Sequence, residues 1–442
     1  MKENSKVFIE TYGCQMNKSD SEIVASVLTK GGYTFTTEIR KAGIILVNTC
    51  SIREHAEDRV RKRLQYFRYL RKHNPGLIIG LLGCMAERTK TALMEEEQLL
   101  DLIAGPDAYR NLPQLLSLAG QGQRVINTIL SADETYADIT PVRLDSNGVT
   151  AFISIMRGCE NYCSYCVVPS TRGVERSRNA ETIVKETRDL VEKGYREITL
   201  LGQNVNSYRW QTGDINVSFS HLLEMVAHVN PLMRIRFATS HPKDLSDELL
   251  HTIARYNNLC KSIHLPVQSG SDSMLGMMNR KYTRKDYMDR ISAIRHILPD
   301  CAISTDIIAG FCNETEDDHH DTLSLMEWVG YSAAFMFKYS ERQQTLAADT
   351  LLDNIPDEVK DRRLKEIIDL QQKLSLKSNL EDIGTVFEIL IEGISRRSKN
   401  HYFGRNSQNK VIVFPRIGTL LGDYAKVKII GATSATLIGE PV

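Results

Sequence analysis

Residues 152–166 of this 442-residue chain read FISIMRGCENYCSYC, an apolar run that leads directly into three closely spaced cysteines. The run is typical of a buried strand, and Cys159, Cys163 and Cys166 follow it with the spacing CxxxCxxC. Three thiolates on one short loop can hold three irons of a cubane cluster and leave the fourth iron open to another ligand. A zinc site would normally add a fourth cysteine or histidine at a second short spacing, and none follows nearby. The pattern therefore indicates an iron–sulfur cluster at the end of a strand.

Beyond this loop, apolar runs alternate with amphipathic helical patterns. The runs are EITLLG (197–202), IRFATS (235–240), SIHLPV (262–267), ISTDIIAGF (303–311) and AFMFKYS (334–340). With FISIMRGC they make six βα units, which predicts a β/α barrel, full or partial, over residues 149–378. Ligands of such folds gather at the carboxyl ends of the strands.

The region upstream, residues 1–125, shows the same alternation on a shorter scale. Its apolar runs are VFIET (7–11), IILVNTC (44–50), LIIGLLGC (77–84) and DLIAG (101–105), which predict a parallel α/β sheet with both faces covered. Cys14, Cys50 and Cys84 each lie just beyond one of the first three runs. Because the carboxyl ends of neighbouring parallel strands converge, these thiols are able to meet around one cluster. Three separate core cysteines are the alternative, since cysteine is commonly buried.

The carboxyl-terminal part of the chain has a different character. Residues 126–148 lack periodicity and are predicted to be a linker, and 357–380 form a charged helical stretch. After it, FEILIEG, KVIVF and AKVKII predict a small β-barrel over residues 379–442. The 55 basic and 55 acidic residues of the chain balance, but residues 384–442 carry a net charge of +4 and the remainder −4. A basic module fits a nucleic acid, and an ordinary solvated face is the alternative.

The composition excludes several classes of protein. Hydrophobic residues at 42% and charged residues at 25% are ordinary for a globular enzyme and disfavour a disordered or fibrous chain. No apolar run reaches 18 residues and no secretory signal opens the sequence, so we expect a cytoplasmic protein without a membrane partner. In such a chain nine cysteines indicate metal or redox chemistry rather than a disulfide framework.

The words around the cysteines carry a closer resemblance. RGCENYCSYCVVPSTRG is similar to the cluster motif of the radical S-adenosylmethionine (SAM) superfamily, with Tyr165 as the aromatic residue before the last cysteine. Together with ETYGCQMNKSDSE, NTCSIREHA and GCMAER, and a terminal module that resembles a TRAM domain, it makes the chain resemble the radical SAM methylthiotransferase family nearly throughout. The wording is most similar to members that act on isopentenylated adenosine in tRNA. Members that act on threonylcarbamoyl-adenosine or on a ribosomal protein are the alternative.

The resemblance implies the chemistry. The cysteine triplet of the barrel would hold the radical SAM [4Fe–4S] cluster, and Cys14, Cys50 and Cys84 would hold an auxiliary [4Fe–4S] cluster that carries the sulfur. One SAM would methylate that sulfur, and a second would yield the radical that removes hydrogen from C-2 of adenine 37 in a tRNA anticodon loop. No side chain is expected to act as acid or base, because this C–H bond is not acidic. We also expect a protein reductant such as flavodoxin or ferredoxin as the electron donor, and a monomeric state.

Further contacts are expected from motif positions. Those expected to contact SAM or substrate are Tyr165, Gln203 in LLGQN, His264, Gln268 and Ser269 in HLPVQSGS, and Asp306 and Gly310 in TDIIAGF. A core histidine and a helix cap are the alternatives for His264 and Asp306. The base must be extruded from its stack to be reached. Contacts with RNA phosphates are expected at Arg396, Arg397, Lys399, Arg405 and Lys410.

Two motifs depart from the wording of the family. GFCNET (310–315) has Cys312 and Asn313 where the family often has Pro–Gly, and YSERQQT (339–345) has Gln344 in place of a glycine. We expect these changes to affect loop geometry rather than activity.

Overall fold

The computed structural model describes residues 6–50, 54–144, 147–416 and 418–442, without the side chains of 54–58 and Thr91. Residues 51–53 of the NTCSIRE motif and two residues of the expected linker therefore lie outside the described part. The chain folds into two compact units. Unit 1 comprises Met1–Asp145, Met156–Glu160 and Cys166–Thr182, and unit 2 comprises Ser146–Ile155, Asn161–Tyr165 and Ile183–Val442.

Unit 1 is built on a six-stranded parallel sheet with the strand order β2-β1-β3-β4-β5-β6. In chain order its main elements are β1 (Lys6–Thr11), α1 (Gln15–Lys30), β2 (Thr34–Phe35), β3 (Ile44–Thr49), α2 (Glu54–His73), β4 (Ile78–Gly83), α3 (Cys84–Glu96), β5 (Leu102–Ala104), α4 (Leu112–Gly120) and β6 (Val125–Asn127). The four predicted strands are confirmed as β1, β3, β4 and β5. All residues of β3 and β4 are buried, because helices cover both faces of the sheet.

The stretch expected to be a linker packs on this sheet. It begins inside β6, and Tyr136 and Ile139 are buried in the core of unit 1. The Tyr136 hydroxyl donates to the carbonyl oxygen of Pro106 at 2.9 Å and accepts from the backbone N–H of Tyr109 at 3.2 Å. The lack of apolar periodicity in this stretch thus indicates an irregular backbone, and the stretch still packs against the sheet.

The second part of the chain contains the predicted barrel strands and the helices between them. In chain order the elements are β7 (Thr150–Ser154), β8 (Met156–Arg157), α5 (Val168–Arg172), β9 (Arg176–Ser177), α6 (Ala180–Glu192), β10 (Glu197–Leu201), β11 (Arg209–Thr212), β12 (Ile215–Ser218), α7 (Phe219–Ala227), β13 (Arg234–Ala238), α8 (Asp247–Arg255), β14 (Ser262–His264), α9 (Asp272–Met277), α10 (Arg284–Ile297), β15 (Ala302–Ala309), α11 (Glu316–Val329), β16 (Ala333–Lys338), α12 (Leu346–Thr350) and α13 (Asp357–Leu380). Of these, β8, α5 and β9 belong to unit 1.

The six predicted strands form a partial barrel within unit 2. β7, β10 and β13 make one parallel sheet, and β14, β15 and β16 make a second. A bridge between Ile235 on β13 and Leu259 links the first sheet to the segment that leads into β14. Among the described residues β16 does not pair with β7, so the barrel is open on that side.

A closed five-stranded barrel ends the chain and confirms the predicted β-module. Its strands are β17 (Val386–Ile394), β18 (His401–Arg405), β19 (Val411–Pro415), β20 (Tyr424–Ala432) and β21 (Leu437–Pro441), in the order β17-β18-β19-β21-β20. Arg234 on β13 donates to the carbonyl oxygens of Arg405 and Glu388 at 2.7 and 2.8 Å, which fixes this barrel to the open one. Within the described ranges, no helix has both the length and the apolar character needed to cross a membrane.

Candidate iron–sulfur sites

Three cysteines of unit 1 meet at one edge of its sheet. β1, β3 and β4 are adjacent, and their register sets Thr11 opposite Asn48 and Thr49 opposite Gly83. Cys14, Cys50 and Cys84 follow those strand ends. A hydrogen bond with Cys50 is the main cause that lowers the pKa of Cys14 to about 6, and the charge of Arg172 adds to it. The structure thus brings the three positions together, and cluster binding by them stays a prediction.

Close backbone approach explains the glycines in the cysteine motifs. Gly13 has φ +114°, and a Cβ there would lie 2.4 Å from the Cβ of Cys50. Next to it, the Cys14 thiol donates to Oδ1 of Asn17 at 3.1 Å, and the Asn17 amide donates to Oδ1 of Asn48 at 3.2 Å. The motifs YGCQMN and VNTC therefore belong to one hydrogen-bonded group of residues at the strand ends.

A buried charge network surrounds Cys84 inside unit 1. Arg172, at the end of α5, donates from Nε to the Cys84 sulfur at 3.2 Å and from Nη2 to Oδ2 of Asp20 at 2.8 Å. Arg157 donates to the other oxygen of Asp20 at 2.9 Å. Burial alone would raise the pKa of Asp20, but the two guanidinium groups hold it below its usual value. Burial raises the pKa of the Cys84 thiol.

Sequence reasoning missed Asp20 and left open whether Arg157 and Arg172 bind a ligand or form ion pairs. The available signal was α1 itself, which carries a run of polar residues where an amphipathic helix would alternate. From residue 17 to residue 22 every position except Lys18 is buried, and the buried ones are Asn17, Ser19, Asp20, Ser21 and Glu22. Buried polar residues in such a run predict partners elsewhere in the fold.

The second cysteine triplet occupies the loop between β8 and α5. Within unit 2, Cys163 accepts a hydrogen bond from Nη1 of Arg280 at 3.3 Å. Nη2 of this buried arginine donates to the carbonyl oxygen of Pro266 at 2.6 Å, and its Nε donates to the Tyr282 hydroxyl at 2.9 Å. Among the described residues Arg280 touches no carboxylate, so its charge calls for an anion at the cysteine loop. Three thiolates that bind a cluster would supply one.

Three of the residues expected to contact SAM lie together, with His264 at the end of β14, Asp306 within β15 and Gln268 beside it. The His264 ring and the Asp306 carboxylate are 3.5 Å apart, and Nδ1 of His264 contacts the Ser304 hydroxyl at 3.1 Å. Gln268, with φ +73°, donates its backbone N–H to the carbonyl oxygen of Asp306 at 2.9 Å. Tyr165 lies edge-on to the ring of Phe311.

Two other expected contacts have local structural roles. The Ser269 hydroxyl contacts that of Thr322 at 3.2 Å. The N–H of Gly310 donates to Oε2 of Glu314 at 2.7 Å, and a Cβ at Gly310 would lie 2.3 Å from Cγ of Lys360. SAM contact by these two residues stays a prediction.

Buried polar atoms without a partner concentrate beyond β10 and β13. They belong to Gln203 and to four residues that sequence reasoning did not select, and none has a hydrogen-bond partner among the described residues: Oε1 of Gln203, Oδ1 of Asn204, both amide atoms of Asn206, Oγ of Ser240 and Nε2 of His241. Unpaired buried polar atoms are rare in proteins, so their concentration at strand ends fits a polar ligand.

The basic residues expected to contact RNA divide into two groups. Arg396, Arg397 and Lys399 are exposed on the connection between β17 and β18. Arg405 instead pairs with Glu197 and Glu392 at 2.7 and 2.6 Å. Lys410 pairs with Asp382 at 2.6 Å and also donates to the Ser378 hydroxyl at 2.9 Å.

Both departures from the family wording fall on backbone that favours glycine. Asn313 has φ +63° and Gln344 has φ +67°. The side chains thus occupy a left-handed conformation that costs them free energy, and an effect of the two changes on the loops stays a prediction.

Among the described residues, no three His, Cys, Asp or Glu side chains lie close enough to hold a single metal ion. Three features favour iron–sulfur clusters instead: the cysteine positions, the thiols that meet at the sheet edge and the buried arginines that donate to cysteine sulfur.

Comparison with solved structures shows the fold. The radical SAM methyltransferase TsrM from Kitasatospora setae, solved with tryptophan and a SAM analogue, has a TM-score of 0.55 and 13% identity, covering 75% of this chain and 73% of that chain. The cobalamin-dependent radical SAM enzyme OxsB, solved with aqua-cobalamin, has a TM-score of 0.54 and 15% identity, covering 84% of this chain and 56% of that chain.

Family models and relatives cover almost the whole sequence. Models described as uncharacterized protein family UPF0004, Radical SAM superfamily and TRAM domain match residues 6–105, 153–326 and 381–442. Proteins named tRNA-2-methylthio-N(6)-dimethylallyladenosine synthase are 56% identical in Amoebophilus asiaticus (98% of this chain, 92% of that protein) and 56% in Parabacteroides distasonis (99% and 95%). The protein of that name in Bacteroides thetaiotaomicron is 54% identical over 100% of this chain and 97% of its own length. The chain therefore belongs to the tRNA-2-methylthio-N(6)-dimethylallyladenosine synthase family of radical SAM methylthiotransferases.

Proposed function

We propose that this chain methylthiolates C-2 of isopentenylated adenosine 37 in the anticodon loop of tRNA, using two SAM molecules and two [4Fe–4S] clusters. The observation that carries the proposal is the meeting of Cys14, Cys50 and Cys84 at adjacent strand ends, in a chain that also has the CxxxCxxC loop. Radical chemistry alone would need only the loop. A second triplet supplies a place for the sulfur, and relatives with 56% identity carry the name of that reaction.

The side chains prepare thiolates for metal binding. When bound, the clusters and SAM supply the electron, the hydrogen-abstracting radical and the sulfur. Iron binds cysteine as thiolate, so the lowering of the Cys14 pKa by the Cys50 hydrogen bond favours the ligand form. Arg172 and Arg280 each place a positive donor on one cysteine sulfur, which stabilises negative charge there.

The SAM site is proposed at the carboxyl ends of the unit 2 strands. The unpaired polar atoms of Gln203, Asn206 and Ser240 support this place, because the amino and carboxylate groups of SAM need donors and acceptors. Tyr165, His264, Gln268 and Asp306 are proposed to orient SAM or the adenine. Their part in the reaction is binding and the exclusion of water.

The RNA contact is proposed on the closed barrel. Arg396, Arg397 and Lys399 are exposed and close in sequence, which suits a phosphate backbone. Arg405 and Lys410 already neutralise carboxylates of unit 2, so we assign them a smaller share of this contact. We further propose that the chain works as a monomer in the cytoplasm with a flavodoxin- or ferredoxin-type reductant.

Nucleoside mass spectrometry of tRNA tests the proposal. A strain without this gene should accumulate isopentenyladenosine that lacks the methylthio group, and the wild-type chain should restore the modification. The triple variant Cys14→Ala/Cys50→Ala/Cys84→Ala should not restore it, whereas Cys301→Ala, a half-buried cysteine outside both triplets, should. An unchanged nucleoside profile in the deletion strain would refute the assignment. A change in threonylcarbamoyl-adenosine or in a ribosomal protein would point to the other substrates of the family.

A further inference from the structure

Arg172 is buried in unit 1, and one of its donor groups, Nη1, has no acceptor among the described residues. Its side chain is 3% exposed, its Nε–H donates to the sulfur of Cys84 at 3.2 Å, and its Nη2 donates to Asp20 at 2.8 Å. Nη1 is buried and has no hydrogen-bond partner among the described residues. A buried guanidinium N–H without an acceptor is costly, so this group calls for an acceptor that the described residues do not provide.

The surrounding charges are fixed independently of Cys84. Asp20 is shared between Arg172 and Arg157, and Arg157 also donates to the carbonyl oxygen of Pro106 at 3.2 Å. Asp107 is paired mainly with Arg176, at 3.0 Å. Three buried arginines therefore face two buried aspartates.

The other buried carboxyls in the described part of unit 1, Glu22 and Glu87, do not remove the excess, because Glu22 already pairs with Arg143 at 2.6 Å. Glu87 faces Lys90 at 3.7 Å, and burial raises its pKa to about 7. An excess positive charge in a buried network needs an anion. The side of the Arg172 guanidinium that does not contact Asp20 faces the sulfur of Cys84.

We propose that Arg172 is a positioning residue of the auxiliary site. It donates from Nε to the Cys84 thiolate and provides Nη1 for a sulfur atom of the bound cluster, while Asp20 holds the guanidinium in place. A positive donor on cluster sulfur stabilises the reduced, more negative cluster, so Arg172 raises the reduction potential of this site. The inference rests on the proposed function, which places a cluster at Cys14, Cys50 and Cys84.

The test uses the full chain with Cys159→Ala/Cys163→Ala/Cys166→Ala, so that any remaining cluster is the auxiliary one. After anaerobic reconstitution, iron is counted and the reduction potential is measured by titration followed by electron paramagnetic resonance. Arg172→Gln should make one-electron reduction about tenfold less favourable, which is about 59 mV. Arg172→Lys keeps the charge but lacks the fork of donors, so about threefold is expected.

Arg176→Gln is the matched control. It removes a buried arginine from the same network, and among the described residues Arg176 donates to Asp107 and backbone oxygens but to no sulfur. Its reduction potential should equal that of the parent. If the arginines had only a structural role, Arg172→Gln and Arg176→Gln would shift the reduction potential alike. Equal potentials for the parent, Arg172→Gln and Arg172→Lys would overturn the proposal.

The remaining outcomes separate this inference from the proposed function. A parent that binds no iron at all would overturn the auxiliary site, and the role of Arg172 with it. If the parent holds a cluster but Arg172→Gln and Arg172→Lys leave its reduction potential unchanged, only the role of Arg172 is overturned. If Arg172→Gln does not fold, the reduction potentials of Arg172→Lys and Arg176→Gln are compared. A lower potential in Arg172→Lys supports the proposal, and equal potentials overturn it.

Discussion

Gly83 stands at the end of β4, directly before Cys84, where a side chain cannot be accommodated. Its φ is +89°, and a Cβ would lie 2.4 Å from Oδ1 of Asn48 and 2.8 Å from the backbone oxygen of Thr49. Thr49 is bonded to Cys50, so relief of the clash must move the end of β3 away from β4. We expect Gly83→Ala to separate the Cys50 and Cys84 thiols and to abolish cluster binding there.

The size of the effect follows from two separate contributions. An alanine in left-handed backbone costs about 1–2 kcal/mol, and crowding in a packed interior adds about 1–3 kcal/mol. Gly122→Ala is the matched control, because Gly122 has φ +85° but nothing within 4 Å of its Cβ position. It should carry only the backbone contribution, so the difference between the two variants measures the crowding.

Hydrogen exchange followed by mass spectrometry can read unit 1 separately. Both tryptophans, Trp210 and Trp328, lie in unit 2, so their fluorescence reports on unit 2 and should not change. Peptides of β3 and β4 should exchange roughly 5- to 150-fold faster in Gly83→Ala than in Gly122→Ala, as about 1–3 kcal/mol of crowding requires. Equal exchange in the two variants, with retained auxiliary iron, would refute the reasoning.

Three further predictions concern unit 2. Gln344→Gly should raise the free energy of unfolding by about 0.5–1 kcal/mol in urea denaturation followed by tryptophan fluorescence, because φ +67° strains a side chain more than it costs glycine in entropy; a loss of stability would contradict this. Burial lowers the pKa of His241 from 6.5 to about 2, so its contribution to stability is complete above pH 6.5 and is lost as the pH falls below it, by at most about 1.4 kcal/mol per pH unit. His241→Asn should flatten the stability difference between pH 6.5 and 5.5 in the same assay, and an unaltered slope would count against the burial argument. Replacing Arg396, Arg397 and Lys399 by alanine should reduce the slope of log affinity for tRNA against log salt by about 2–3, whereas an unchanged slope would place the phosphate contacts elsewhere.

Local sequence patterns were sufficient for the strands and for the cysteine positions. Continuous apolar runs predict buried parallel strands wherever they occur, so β1, β3, β4, β5 and the six strands of the open barrel could be read directly. Because strand ends of one parallel sheet share an edge, Cys14, Cys50 and Cys84 could be expected to meet before their contacts were known.

Partners that are distant in sequence leave no such pattern. The ion pair between Asp20 and Arg172 joins residues 152 positions apart, and each looks locally like an exposed charge on a helix. Likewise Arg405 and Lys410 belong to a basic module by sequence, yet Glu197 and Asp382 neutralise them in the fold. Whether a charge is free or paired depends on what the rest of the chain brings to it.

Apolar periodicity and motif spacing act over a few residues. The order of the domains, the strands and the two sets of thiols could therefore be predicted from the amino-acid sequence. Which charges are buried against those thiols depends on how distant segments pack. Arg172 and Arg280 reach Cys84 and Cys163 from segments 88 and 117 residues away, and only packing sets such distances.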